Sequence, residues 1–225
     1  MRRGRLGVAV TLAAGALLSG RAAADADALV AEGARWWRSS GNPANPVACA
    51  TCHHDPTETR GWAASFPKFK PLPPPHARVM TLLQANAEAI ERHYGHTDPR
   101  PAATAITAYL AAQAAGFPRK PGVAAGQPVF PARLRALAKS VARGRGLYAR
   151  RCAACHTPPA IAPALATFPR TRGGRAESLE GFLEHHARPG EALAWDAPAM
   201  ADLAAYLTAE PADRRPFPTA HEASP

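Results

Sequence analysis

"NPVACATCHHDPTE", residues 45–58, sets two cysteines three apart with a histidine directly after the second. Cys49, Cys52 and His53 could together serve a metal, a disulfide, a redox dithiol or a haem. A second copy stands at "CAACH", residues 152–156, where Cys152, Cys155 and His156 repeat the spacing. The chain has 4 cysteines, and the two motifs use all of them.

C-x-x-C-H is the attachment signature of c-type haem. On a helix, residues i and i+3 share a face, so both sulfurs can form thioethers to one porphyrin edge. The adjoining histidine then points at the iron as proximal ligand. The rival readings explain less. A thioredoxin-type dithiol wants a βαβ setting, and nothing in the sequence reads as parallel strands. A zinc site would have to pool ligands from motifs about a hundred residues apart. A disulfide explains neither the paired spacing nor the two histidines.

The N-terminus "MRRGRLGVAVTLAAGALLSGRAAADAD" has a basic start, an apolar run from Leu6 to Leu18 and an A-x-A site at Ala22–Ala24. That is the layout of a secretory signal peptide, which places residues 1–24 outside the mature chain and predicts a periplasmic protein. The apolar run is too short for a comfortable membrane span, so no span is expected after cleavage. Haem attachment outside the cytoplasm agrees with export. Residues 1–24 carry four arginines and no acid, so their removal lowers the net charge from +10 to +6. A basic balance suits acidic redox partners or anionic surfaces, and an ordinary solvated basic surface is the simpler reading. No basic helix with interleaved aromatics accompanies it, so nucleic acid is not an expected partner.

Abundant Ala and Pro, with few β-branched runs, predict an all-α chain of helices joined by Pro-broken loops. The sequence repeats itself. CATCH (49–53), "FPK" (66–68), "NAEAIERHYG" (86–95) and "DPRPAATAITAYL" (98–110) are followed by CAACH (152–156), "FPR" (168–170), "ESLEGFLEHHAR" (177–188) and "WDAPAMADLAAYL" (195–207) in the same order. Opening helices precede both motifs, at 27–38 and from 132 toward 156. "SSGNPANPV" interrupts the chain before the first motif only. Asp98 and Asp196 are the expected N-caps of the closing helices, with Pro99 or Pro101 and Pro198 in the first turn. The boundaries read as a domain over 25–115, a Pro/Gly-rich linker over 116–131, a second domain over 132–210 and a flexible tail over 211–225.

With these motifs the chain resembles dihaem c-type cytochromes of bacterial periplasms, which are built from two tandem cytochrome c domains. The resemblance implies two covalently bound haem c groups, each wrapped by a few helices. It also implies that the last helix of each unit crosses the helix before the motif, with Tyr109 and Tyr206 as the aromatic residues at the crossings. The second unit is similar to the dihaem cytochrome subunit of the bacterial thiosulfate-oxidising system. In that family a helix of like pattern ends in a cysteine as distal ligand. No cysteine remains here, and His186 would take that place.

The distal ligands decide what each iron does. Aligning "AIERH" (89–93) with "FLEHH" (182–186) sets His93 over His186, each ending an apolar helical face. Met80, Met200 and His185 are the alternatives, and His54, His76 and His96 are lesser candidates. Met200 falls inside the expected final helix, where core packing is its simpler role. The functional reading is single-electron transfer between periplasmic redox partners. The alternative is a haem enzyme or enzyme subunit, peroxidase-like or acting on sulfur compounds, with one open or labile iron. A third reading makes the chain a module docked on a larger oxidase or dehydrogenase through loop 71–75 and the tail.

Overall fold

The structure is a computed structural model and describes residues 24–54, 56–124, 126–156, 168–172, 175–186 and 191–209. The signal-peptide and tail segments lie outside the described residues, apart from the junction at residue 24. Helix α1 covers 24–38 and is followed by α2 (Cys49–Cys52) and α3 (Pro56–Thr59). A 3-10 turn at Ala63–Ser65 leads into β1 (Lys68–Lys70) and β2 (Arg78–Met80). Then come α4 (Leu82–Tyr94) and α5 (Arg100–Gln113). The second half runs α6 (Pro131–Arg151), β3 (Arg170–Arg172), β4 (Arg175–Glu177), α7 (Leu179–His186) and α8 (Pro198–Ala209).

Two close helix crossings organise the core. In the first half α1 meets α5 where a Cβ on Gly33 would lie 2.0 Å from the Ala105 carbonyl oxygen and 2.8 Å from Tyr109 Cβ. In the second half α6 meets α8 where a Cβ on Gly144 would lie 1.9 Å from the Asp202 carbonyl oxygen and 2.9 Å from Tyr206 Cβ. Only glycine lets two backbones come this near. Tyr109 and Tyr206 thus sit at the crossings, as the resemblance implies. The glycines opposite them are the other half of the contact, and Asp202 fastens the second crossing. Its carboxylate takes a bidentate pair of bonds from Arg143, Nε at 2.7 Å and Nη2 at 2.8 Å, and a bond from the Ser140 hydroxyl.

The ends of the closing helices differ from expectation by a residue or two. Pro99 holds the N-cap position of α5, and the Ala197 carbonyl accepts from Met200 and Ala201 at the start of α8. Asp98 and Asp196 stand just outside both helices. Caps of α4 and α7 are of the expected chemistry. Thr81 and Gln84 form a capping box, and Ser178 Oγ accepts from the Gly181 amide at 3.0 Å.

The described residues are mostly helical, but two short antiparallel hairpins among them depart from the all-α expectation. Register pairs Lys68 with Met80 in the first and Arg170 with Glu177 in the second. Three-residue strands are too short to write a period-2 pattern into the sequence. The hairpins also tie the halves together. β1 and β2 pack on α6 and α8, while β4 packs on α5. Gln84 donates to the Trp195 and Ala197 carbonyls at 3.0 and 3.1 Å, and Arg100 pairs with Glu184 at 2.9 Å. The segment between α5 and α6 is stitched to the first half through Lys120 N–H to the Ala64 carbonyl and Gly122 N–H to that of Ser65.

Candidate functional site

Each C-x-x-C-H motif closes one helical turn. The His53 amide donates to the Cys49 carbonyl at 2.9 Å, and the His156 amide to the Cys152 carbonyl at 3.0 Å. Both cysteines of a pair are therefore carried on one turn, with the histidine at its exit. All four cysteines are free thiols, so neither pair is a disulfide. Among the described residues no three His, Cys, Asp or Glu side chains converge as a metal-binding group.

At the first motif a cavity of about 240 Å³ is lined by Cys49, Cys52, His53 and His93, with Lys70 and Arg92 at the same wall. α4 supplies His93 from its last turn. The loop that interrupts the chain before the motif holds that turn: Asn42 Nδ2 donates to the Tyr94 carbonyl at 2.9 Å, and Asn45 Nδ2 donates to the His93 carbonyl. Gly95, at φ 71°, ends the helix in the left-handed conformation. "SSGNPANPV" reads in sequence only as a break, yet it caps the helix that bears His93.

Tyr94 is the residue that sequence reasoning missed. Its hydroxyl donates to the Trp36 carbonyl at 2.8 Å and accepts from the Cys49 amide at 3.0 Å, and it lies 3.1 Å from Cys49 Sγ. One side chain thereby joins α1, α2 and α4. Burial pushes the Cys49 thiol up, and the Tyr94 hydrogen bond partly opposes it. Burial, followed by the bond to Cys49, pushes the Tyr94 phenol up. His53 stands edge-on to Trp62 at 4.8 Å and tilted to Trp37 at 6.2 Å. Burial lowers its pKa, Lys70 and His93 add to this, and Glu58 opposes it. The neutral imidazole, which has a lone pair to give a metal, is favoured.

At the second motif the His156 and His186 ring centroids lie 5.8 Å apart, with the rings tilted by 44°. His186 stacks on Phe182 at 4.7 Å, and Phe182 meets Phe168 at 5.3 Å. His185, the neighbouring alternative, turns back on its own helix, with Nδ1 2.7 Å from the Gly181 carbonyl oxygen. Tyr148 donates to the His156 carbonyl at 2.8 Å and so steadies the motif's exit.

The remaining candidates lie elsewhere. Met80 and Met200 are both 0% exposed, Met80 in β2 and Met200 within α8, and neither lines the first cavity. His76 Nδ1 is 3.1 Å from Glu88 Oε1, and His96 Nε2 is 2.8 Å from the Ser40 carbonyl oxygen. His54 is exposed. Counted from the caps Thr81 and Ser178, His186 corresponds to Ala89, and His93 lies one helical turn further on. Both Ala89 and His93 line the first cavity.

These residues fit a haem. An iron between two imidazoles sets the ring centres about 6 Å apart, because each metal–nitrogen bond is about 2 Å long. The separation of His156 and His186 meets that requirement.

Residues 139–210 match the family described as "Cytochrome C oxidase, cbb3-type, subunit III". No curated protein matches the chain in sequence. In structure it is similar to the "Crystal structure of SoxXA from P. pantotrophus", with a TM-score of 0.62, 16% identity, and coverage of 88% of this chain and 77% of that one. At this identity the likeness is one of fold. No helix among the described residues is long and apolar enough to cross a membrane. Residues 139–210, from within α6 past the end of α8, are a cytochrome c domain, and such a domain implies covalently bound haem c.

Proposed function

We propose that the chain is a dihaem c-type cytochrome that passes single electrons between redox partners in the periplasm. Its two cytochrome c units span about 25–115 and 132–210. Cys49 and Cys52 attach one haem, and Cys152 and Cys155 attach the other. His53 and His156 are the proximal ligands; His93 and His186 are the distal ones. The observation that carries this reading is the meeting of a motif histidine with a second histidine from the following helix, at 5.8 Å for His156 and His186. The shared cavity of His53 and His93 supports the same arrangement in the first half. So does the repeated glycine–tyrosine crossing, which makes each half a unit of one kind.

When bound, haem supplies an iron that moves between ferric and ferrous states by one electron. The chain's own residues do the rest. The paired thiols fix the porphyrin edge, and the motif turn aims His53 and His156. Tyr94 and Tyr148 hold those turns to the neighbouring helices. The capped end of α4 presents His93. Trp37 and Trp62 flank His53, and Phe182, itself packed on Phe168, stacks on His186. Two imidazole ligands at each iron leave no open position for substrate, which favours electron transfer over ligand chemistry.

Acid–acetone extraction followed by pyridine haemochrome analysis tests the core of this. Two haems per polypeptide retained covalently are expected. Near-infrared magnetic circular dichroism of the oxidised protein should report bis-histidine ligation at both. Retention of no haem, or of one, overturns the dihaem assignment, and a His/Met band overturns the ligand set.

A further inference from the structure

β1 carries two cations on one face, because residues i and i+2 of a strand point the same way. Lys70 lines the cavity that holds Cys52 and His53. Lys68, two residues before it on the strand, does not line that cavity; its Nζ lies 2.9 Å from Ser65 Oγ and 4.5 Å from the centre of the Phe66 ring. Among the described residues, no ion pair includes either lysine. Burial disfavours both ammonium groups. Lys70 and Arg133 lower Lys68 further, to about 8, and Arg133 and Arg92 lower Lys70. The acid in the cavity wall, Glu88, is already engaged by Arg92 at 2.8 Å and by His76 at 3.1 Å.

The second hairpin shows what is missing. There Arg170 occupies the place of Lys68 after the F-P pair, and its cross-strand partner is Glu177, with Nη2 to Oε2 at 2.8 Å. In the first hairpin the partner of Lys68 is Met80, which is fully buried and carries no charge. A cluster of half-buried cations that repel one another is costly without an anion. Glu88, the acid at the cavity, is shared by Arg92 and His76, and of these cations Lys70 and Arg92 line the cavity.

We propose that Lys70, backed by Lys68, is the counter-charge for the propionate carboxylates of the haem held by Cys49, Cys52 and His53. The proposal rests on the reading of that cavity as a haem site. The charged and titratable groups around it are Arg92, Glu88 and His93 from α4, Arg133 from α6, and His53 beside α2. A cation at this edge favours the reduced iron, so its loss lowers that haem's potential and leaves the other haem unmoved.

Spectroelectrochemical titration of the intact holoprotein tests it, with resonance Raman of the propionate bending mode as a second readout. Haem content and the modified Cys49–Cys52 peptide are first checked by mass spectrometry. In Lys70→Gln one of the two midpoint potentials should fall and the propionate band should shift. Lys70→Arg should restore both, and Lys68→Gln should give a smaller change of the same sign. Lys139→Gln, on the exposed side of α6, should match the wild type in both. If Lys70→Gln does not yield holoprotein, Lys68→Gln alone decides. A fully haem-loaded variant with unaltered potentials and band overturns the lysine assignment and leaves the haem reading intact. An unmodified Cys49–Cys52 peptide in the wild type overturns the haem reading, and the lysine assignment with it.

Discussion

Substituting Gly144 by alanine should destabilise the protein although alanine is the better helix former. The added Cβ would lie 1.9 Å from the Asp202 carbonyl oxygen, where an ordinary contact begins at 3.4 Å. Relief by separation alone would open α6 from α8 by about 1.5 Å, from 1.9 to 3.4 Å. A gap of about 0.5–1 Å already forfeits a quarter to a half of each dispersion contact. Tyr148, Leu203, Tyr206 and Leu207, buried at this interface, would all feel it. Overpacking of this kind costs about 1–3 kcal/mol. The Arg143–Asp202–Ser140 cluster spans the same crossing, and hydrogen bonds to a charged group contribute about 1.5–3 kcal/mol when lost. Against this, alanine gains about 1 kcal/mol in helix propensity. The clash wins, and a net loss of about 2–4 kcal/mol should lower Tm by roughly 5–15 °C. Far-UV circular dichroism melts of the holoprotein measure it. Gly146→Ala is the control two residues on. Its Cβ would meet only the end of the Arg150 side chain at 3.2 Å, so propensity should leave it neutral or more stable. A Gly144→Ala protein that melts at or above the wild-type temperature would refute the close crossing.

Gly33→Ala should fail for the same reason and by a similar amount, because its Cβ would lie 2.0 Å from the Ala105 oxygen; an unchanged urea midpoint would deny the first crossing. Tyr94→Phe removes the group that satisfies both the Trp36 carbonyl and the Cys49 amide, at a cost of about 1–3 kcal/mol that urea denaturation should resolve. Glu180 is buried between the halves, and burial raises its carboxyl above the ordinary value near 4.5, with Thr81, Ser178 and Arg100 opposing. The folded state then holds this proton more tightly than the unfolded state. The contribution is favourable below the ordinary range and is lost as pH rises from there toward the folded value. Glu180→Gln should flatten that decline between pH 4 and 8, and an equal slope in both proteins would exclude Glu180 as its source. His186→Ala should turn one low-spin haem high-spin while His185→Ala should not, since His185 is spent on the Gly181 carbonyl; electron paramagnetic resonance giving the reverse pattern would exchange the two roles.

Local chemistry was legible in the sequence, and long-range chemistry was not. The C-x-x-C-H spacing, the helices before each motif and the tyrosines of the closing helices all follow from patterns within a few residues. Gly33 and Gly144 do not stand out, because a glycine inside a helix looks like a loss of propensity until the partner backbone is known. Asn42 and Asn45, the two asparagines of "NPAN", read as loop formers. Their task, capping α4 some fifty residues on, depends on a fold that brings 42–45 against 93–94. Tyr94 was visible as one residue of an apolar face, but its hydroxyl serves α1 and α2, which only tertiary structure brings together. The repeat was legible in order and approximate in register. Sequence likeness alone sets His93 over His186, whereas the caps set His186 over Ala89.

That one-turn offset is one of several differences between the halves. Both keep the glycine–tyrosine crossing, where a change of even one methyl group is costly. They differ in the features that would surround each iron. The first half presents its histidine from the end of a longer, capped helix, and sets Lys70, without an ion-pair partner among the described residues, at the cavity wall. The second presents it from a shorter helix, stacks it on Phe182, and neutralises the hairpin arginine with Glu177. Under the dihaem reading, the positive wall raises the potential of the first haem relative to the second. An electron entering at the second motif would then run downhill to the first. The interlocked hairpins would keep the separation of the two sites fixed while it did so.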